Sequence, residues 1–248
     1  MAWTPNAKLI VPNDGAAIWR YMDLAKFLSL LEEKALYFAV PAQLEDTWEA
    51  RVHSADYNAL VEAYGAAQAD WLKAGAERVF SVAALNCWYH GEEESVAMWA
   101  LYTQPAYGVA IRSNVGRLKK ALDASPEIVQ LGLVQYRDLA DKSTTPLDVQ
   151  CVPPLIFLFQ KRRCYQHESE LRAYTLVSFA RTPTGERRPP DRGVLVSVSL
   201  ADLIESVRLG PKFPPWAQKL IKVAFERVGI DPPIEPSSAF ASPPVNIP

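Results

Sequence analysis

The chain has 248 residues, 49% hydrophobic and 22% charged, which supplies a substantial core and excludes a disordered polymer. Its formal charge of -2 gives no general pull toward nucleic acid or anionic membrane; such a role needs a local basic patch, for which Arg162, Arg163 and the 181–192 loop are the candidates. Cys87, Cys151 and Cys164 are an odd count without CxxC spacing, which argues against a disulfide framework or structural zinc and reads as buried free thiols.

The opening MAWTPNAKLI lacks the basic and apolar regions of a secretory signal, and no run reaches membrane-span length, so the expected location is the cytoplasm. Residues 16–21 (AAIWRY) read as a strand, and Asp23 caps a helix carrying Leu24, Phe27, Leu28 and Leu31 at helical spacing. Residues 35–40 (ALYFAV) form a strand ended by Pro41. Ser54 is expected to cap a long helix over 55–74 with Leu60, Tyr64 and Trp71 among its apolar positions, and Gly75 to end it.

Residues 79–88 read as a strand, HGEEES as a polar turn, and 96–102 as a short helix whose N-terminus suits an exposed Glu92, Glu93 and Glu94. A strand over 107–111, a helix over 115–122 with Lys119 and Lys120 at its end, and a strand over 128–136 follow. A polar loop covers 138–148, and Pro153 and Pro154 stand where a helix through Phe159 starts. Beyond the 181–192 loop, 194–198 alternates as a strand, 200–204 is a helical turn, and 216–228 is a helix with Leu220, Val223 and Ala224 inward. Residues 231–248 form a proline-rich tail, extended over the surface or disordered. The elements lack a regular βαβ beat, so the expectation is α+β: one domain over 1–230, its sheet mixed or mainly antiparallel, with flanking helices.

The stretch 161–177, KRRCYQHESELRAYTLV, concentrates charge where a strand begins. In an extended segment Glu168, Glu170 and Arg172 share one face, while Ser169, Leu171 and Ala173 share the other, so one face is charged and the other buried. Two carboxylates one strand repeat apart resist joint ionisation unless Arg172 or His167 compensates. Arg20 between Trp19 and Tyr21 offers a fork for phosphate or carboxylate; the bland alternative is a surface ion pair. Trp88, Trp99 and Tyr102 can wall a pocket or simply fill the core. Asp46 and Glu49 either hold Arg20 or cap the long helix. Glycine-rich phosphate loops, GxSxG elbows and HExxH are all missing, and the three histidines lack metal-ligand spacing, so no metal site is assigned.

WRYM (19–22), ALYFAVPAQLEDTWE (35–49), NCWYHGEEESVAMWALY (86–102) with YGVAI (107–111), and KRRCYQHESELR (161–172) together resemble the bacterial family called domain of unknown function 2971. A more distant similarity is to ADP-ribosyltransferases, which set an early-strand arginine or histidine against NAD and a late-strand Glu, often as Glu-x-Glu. That resemblance implies NAD as cofactor, Arg20 on phosphate and Tyr21, Trp88 and Tyr102 about the nicotinamide. It also implies Glu170 at the reacting centre, assisted by Glu168 and His167, with Arg172 among the cofactor-binding residues, and a nucleic-acid or protein acceptor. The chain departs from it in having no Ser-Thr-Ser. Two alternatives stand beside it: a non-catalytic nucleotide- or partner-binding module of a bacterial defence or toxin system, and a metal-dependent hydrolase or nuclease using His167, Glu168 and Glu170. Neither oligomeric state nor acceptor is fixed by these residues.

Overall fold

The computed structural model describes residues 3–104, 106–145, 154–177, 180–181, 187–188 and 193–240. In chain order it opens with strand β1 (Ala17–Asp23), helix α1 (Leu24–Glu33) and strand β2 (Ala35–Phe38). Helices α2 (Ser54–Tyr64) and α3 (Ala66–Val82) lead into β3 (Ala83–His90), and α4 (Val96–Tyr102) into β4 (Gly108–Asn114) and α5 (Val115–Leu122). Strands β5 (Val129–Leu133), β6 (Gln135–Arg137), β7 (Gln160–Arg162) and β8 (Glu170–Leu176) follow. The last part holds a short β9 (Ala180–Arg181) paired with β10 (Arg187–Arg188), then β11 (Val194–Ser197), α6 (Leu200–Leu203), β12 (Ser206–Leu209), α7 (Pro215–Val228) and β13 (Ile234–Pro236). The architecture is α+β with mostly antiparallel pairing.

The chain divides into two compact units, the first 1–12, 37–87 and 126–196, the second 13–36, 88–125 and 197–248. In the second, the strand order is β13, β12, β4, β1 and the end of β3. Arg20 pairs with Ile111 of β4, Trp19 with Tyr89 of β3, and β13 adds in parallel to β12. The tail is therefore partly a sheet strand, and residues 241–248 lie outside the described set. Side chains alternate along β1: Trp19 and Tyr21 join a cluster with Met98, Trp99 and Ala110, while Arg20 turns to the other face.

The first unit carries the start of β3 beside β8 and β5, with Leu131 opposite Ala173 and Gly132 opposite Arg172; β6 and β7 pair in parallel. Two helices replace the single expected helix over 55–74. Gly65 breaks them, because its φ of 83° is open to glycine and strained for any side chain. Gly75, expected to end a helix, lies inside α3, where an added Cβ would come 3.0 Å from Cγ of Pro154. That contact seats the 3-10 turn Pro154–Phe159 on the α2 and α3 cluster of Leu60, Ala69, Leu72 and Ala76. Burial of Leu60 and Leu72 contributes roughly 1.5–3 kcal/mol each. Helix α3 also runs on to Val82, so the strand begins four residues later than its apolar run suggests.

Capping explains other boundaries. Asn114 accepts from the Arg117 N–H at 2.8 Å and starts α5 where sequence places it. The cap position of α2 is His53 rather than Ser54, and the Asp23 side chain accepts from the Gln104 N–H instead of capping α1. In α7 the inward residues are Ala217, Ile221 and Phe225, while Leu220 and Val223 are about half exposed, so the inward face is one position out of phase with the expectation. Phe225 packs edge-on against Phe27 of α1, which fixes that phase, and Gly229 at φ 75° closes the helix.

Candidate functional site

Strand β8 is buried from Glu170 to Thr175, so its charged face is as enclosed as its apolar one. What makes this tolerable is compensation. Arg172, fully buried, donates through Nε to Glu170 Oε1 at 2.5 Å and through Nη2 to Oε2 at 2.9 Å. Its Nη1 donates to the Leu158 carbonyl at 2.5 Å. Lys161 on β7 places Nζ 2.5 Å from Oε2 of Glu168, 2.5 Å from Oε1 of Glu49 and 3.6 Å from Oε2 of Glu170. Charge-assisted and bidentate bonds of this kind are the strong ones in a dry interior.

Glu168 reaches the set by a different route from the one its spacing suggests. It ends the 3-10 turn Arg163–Glu168, and Ser169 takes a left-handed φ of 38° before Glu170 starts the strand. Glu49 enters from the turn after Asp46, where Ala50 is buried at φ 52°. A left-handed residue other than glycine costs about 1–2 kcal/mol. Two of the three among the described residues thus stand next to carboxylates of one cluster; the third, Lys34, closes α1. Asp46 accepts from the Trp48 N–H at 3.0 Å and holds Nη2 of Arg162 at 2.8 Å, with the Arg162 guanidinium over the rings of Trp48 and Tyr165. Successive residues on β7 therefore anchor both acids: Lys161 takes Glu49, Arg162 takes Asp46.

Burial alone would raise the Glu170 carboxyl; Arg172, Lys161 and a Cys87 hydrogen bond outweigh it and hold it down to about 2. Burial also pushes Glu49 up, against the pull of Arg172 and Lys161. Lys161 is raised: its burial would lower it, and the three glutamates prevail. The Tyr136 hydroxyl, raised chiefly by burial, accepts from the Glu170 N–H at 2.9 Å. The set can thus keep a carboxylate charged where water is scarce, beside a second carboxylate that burial pushes up.

In the second unit, the Arg20 guanidinium lies 5.9 Å from the ring centre of Trp88, which is 1% exposed. Tyr21 is on the other face of β1, edge-on to Trp99 at 5.1 Å, its hydroxyl accepting from the Ser95 N–H at 2.8 Å. The structure therefore does not bring Tyr21 and Trp88 together, and Tyr102 on α4 is 43% exposed. Glu94 is not the exposed cap expected of it. Its carboxylate, 3% exposed, accepts from Trp99 Nε1 at 2.9 Å, Ser237 Oγ at 2.5 Å and the Ser238 N–H at 2.9 Å, while Ser95 caps α4. These bonds hold it below its usual range against the upward push of burial.

In the first unit Glu168, Glu170 and Arg172 converge, whereas His167 is exposed and stacks on Tyr165. Among the described residues no group of three His, Cys, Asp or Glu side chains is placed to hold a metal. Cys164 is exposed and Cys87 half-buried, against the expectation of buried thiols, and Cys151 lies outside the described residues. Sequence alone sets Glu49 beside Arg20 or at a helix cap and gives Lys161 no role of its own. The signal available was adjacency, an Asp46/Glu49 pair and a Lys161/Arg162 pair each able to present opposite faces. Among the described residues no helix is long and apolar enough to cross a membrane.

No protein-family model matches the chain, and no curated protein does. Among solved structures it is similar to Thermus sp. 2.9 DarT in complex with NAD+, at TM-score 0.40 and 10% identity, over 94% of this chain and 100% of that one. It is also similar to the same DarT in complex with carba-NAD+, at TM-score 0.37 and 10% identity, over 92% and 97%.

Proposed function

We propose that the chain is an ADP-ribosyltransferase-like enzyme that binds NAD and passes ADP-ribose to a nucleic-acid or protein acceptor. The observation that supports this most is Glu170, an ionised carboxylate in a sealed environment, held by Arg172 and next to Lys161. In this reaction the bond between the ribosyl carbon and the nicotinamide nitrogen breaks. Its electron pair leaves with nicotinamide, which departs neutral. The acceptor's lone pair closes on the carbon and its proton is released. Positive charge grows on the ribosyl carbon, and fixed negative charge in a low dielectric lowers the energy of that state more than of the ground state.

Glu168, tied to Glu170 through Lys161, assists, and His167, exposed beside it, exchanges the acceptor proton. Within the second unit Arg20, its guanidinium over Trp88, offers a fork suited to a phosphate, and Tyr102 an exposed ring. Incubating purified protein with NAD+ and a nucleic-acid or protein acceptor should give time-dependent nicotinamide, read by chromatography. Absence of release with every acceptor, while NAD+ still binds, sinks the catalytic reading.

One observation favours a second reading, a nucleotide- or partner-binding module without turnover. Both Glu170 oxygens are occupied by Arg172, and the residue is only 4% exposed. In that reading the ionic set shapes the fold and the same variants change stability alone.

A further inference from the structure

The buried set does not balance. Lys161 and Arg172 supply two positive charges, and Glu49, Glu168 and Glu170 three negative ones, with every side chain no more than 8% exposed. Surplus charge in such a place is costly unless something answers it. The odd member is Glu49. Its Oε1 shares its cations, with Lys161 Nζ at 2.5 Å and Arg172 Nη2 at 3.5 Å, both of which also serve another glutamate. Glu170, by contrast, has both oxygens held by Arg172.

We infer that Glu49 is a positioning residue of this site, whose surplus negative charge makes the set a counter-charge for the cationic nicotinamide of NAD+ and selects it over the neutral dihydronicotinamide of NADH. The inference rests on the chain binding NAD. Glu49 acts through the field of the cluster and through Lys161, which it shares with Glu170, rather than by touching the ring. The groups facing it are Lys161 from β7, Glu168 from the turn after it, and Glu170 and Arg172 from β8; Cys87 and Tyr136 face Glu170. With no cation present a proton discharges the surplus, in keeping with the upward push of burial on Glu49. Acid therefore competes with the cationic ring and leaves the neutral one unaffected.

Calorimetric titration of NAD+ and of NADH into wild type, Glu49→Gln and Glu49→Asp tests this. Wild type should prefer NAD+ by about tenfold. Glu49→Gln should bind both alike, and Glu49→Asp, which restores the charge, should restore the preference. If Glu49→Gln keeps the full preference, the inference falls and NAD binding stands. If neither nucleotide binds wild type, the proposed function falls and the inference with it. Should Glu49→Gln not fold, the same titrations on wild type across acid pH decide. NAD+ affinity dropping while NADH affinity holds supports the inference, and parallel changes overturn it.

Discussion

Replacing Arg172 with methionine should lower stability by about 3–5 kcal/mol, read as a shift in the denaturant midpoint at neutral pH. The guanidinium carries both Glu170 oxygens and the Leu158 carbonyl, so its loss strands a buried charge and an acceptor together. Removing the charge as well should recover much of the loss, so the double variant Arg172→Met with Glu170→Leu should be more stable than Arg172→Met alone. The pH dependence has a definite sign. Glu170, depressed in the folded state to about 2, adds stability above the ordinary carboxylate range, and that contribution disappears as pH falls through about 2. Glu49, raised, has the opposite sense: its contribution is present in acid and is lost as pH rises through its folded value. In Arg172→Met the Glu170 step should shrink, because Lys161, 3.6 Å away, is its remaining cation.

Glu170→Gln should reduce nicotinamide release by about 10²–10³-fold, the scale of removing one preorganised electrostatic contact from a transition state. The neutral amide keeps the shape and removes the charge complementary to the ribosyl cation. Lost stability alone would also reduce apparent turnover, so the rate is compared under conditions where thermal unfolding shows the variant folded. Glu168→Gln, which reaches Glu170 only through their shared Lys161, should cost about tenfold. If Glu170→Gln is folded and turns over like wild type, the carboxylate serves the fold and the binding-module reading takes its place.

Local signals were the most legible part of this chain. Asn114 ahead of an amphipathic octet, with lysines closing it, yields α5 at its observed bounds because capping and dipole are decided within a few residues. Gly65 and Gly75 show the limit. Both are possible breaks, and what separates them is tertiary: Gly75 is needed small against Pro154, while Gly65 is needed for its backbone angle. The phase of α7 is likewise set by Phe225 against Phe27, a partner about two hundred residues away that no window along the helix contains.

The same holds within the candidate site. Strand alternation groups Glu168, Glu170 and Arg172, and they do converge, but Glu168 arrives through a left-handed Ser169 that alternation does not anticipate. Glu49 comes from more than a hundred residues earlier, on a turn whose left-handed Ala50 has no sequence signature. The burial of the charged face was invisible for a related reason: a charged strand face reads as solvated unless its partners are known.

The most direct measurement is the titration of the Glu170 carboxyl, followed by carbon-13 resonance in glutamate-labelled protein and assigned by its loss in Glu170→Gln. The account predicts a carboxylate that stays ionised as pH falls through the range where the other glutamates protonate, with a midpoint near 2. A midpoint at the ordinary value of about 4.3, or a carboxyl already protonated at neutral pH, would contradict it.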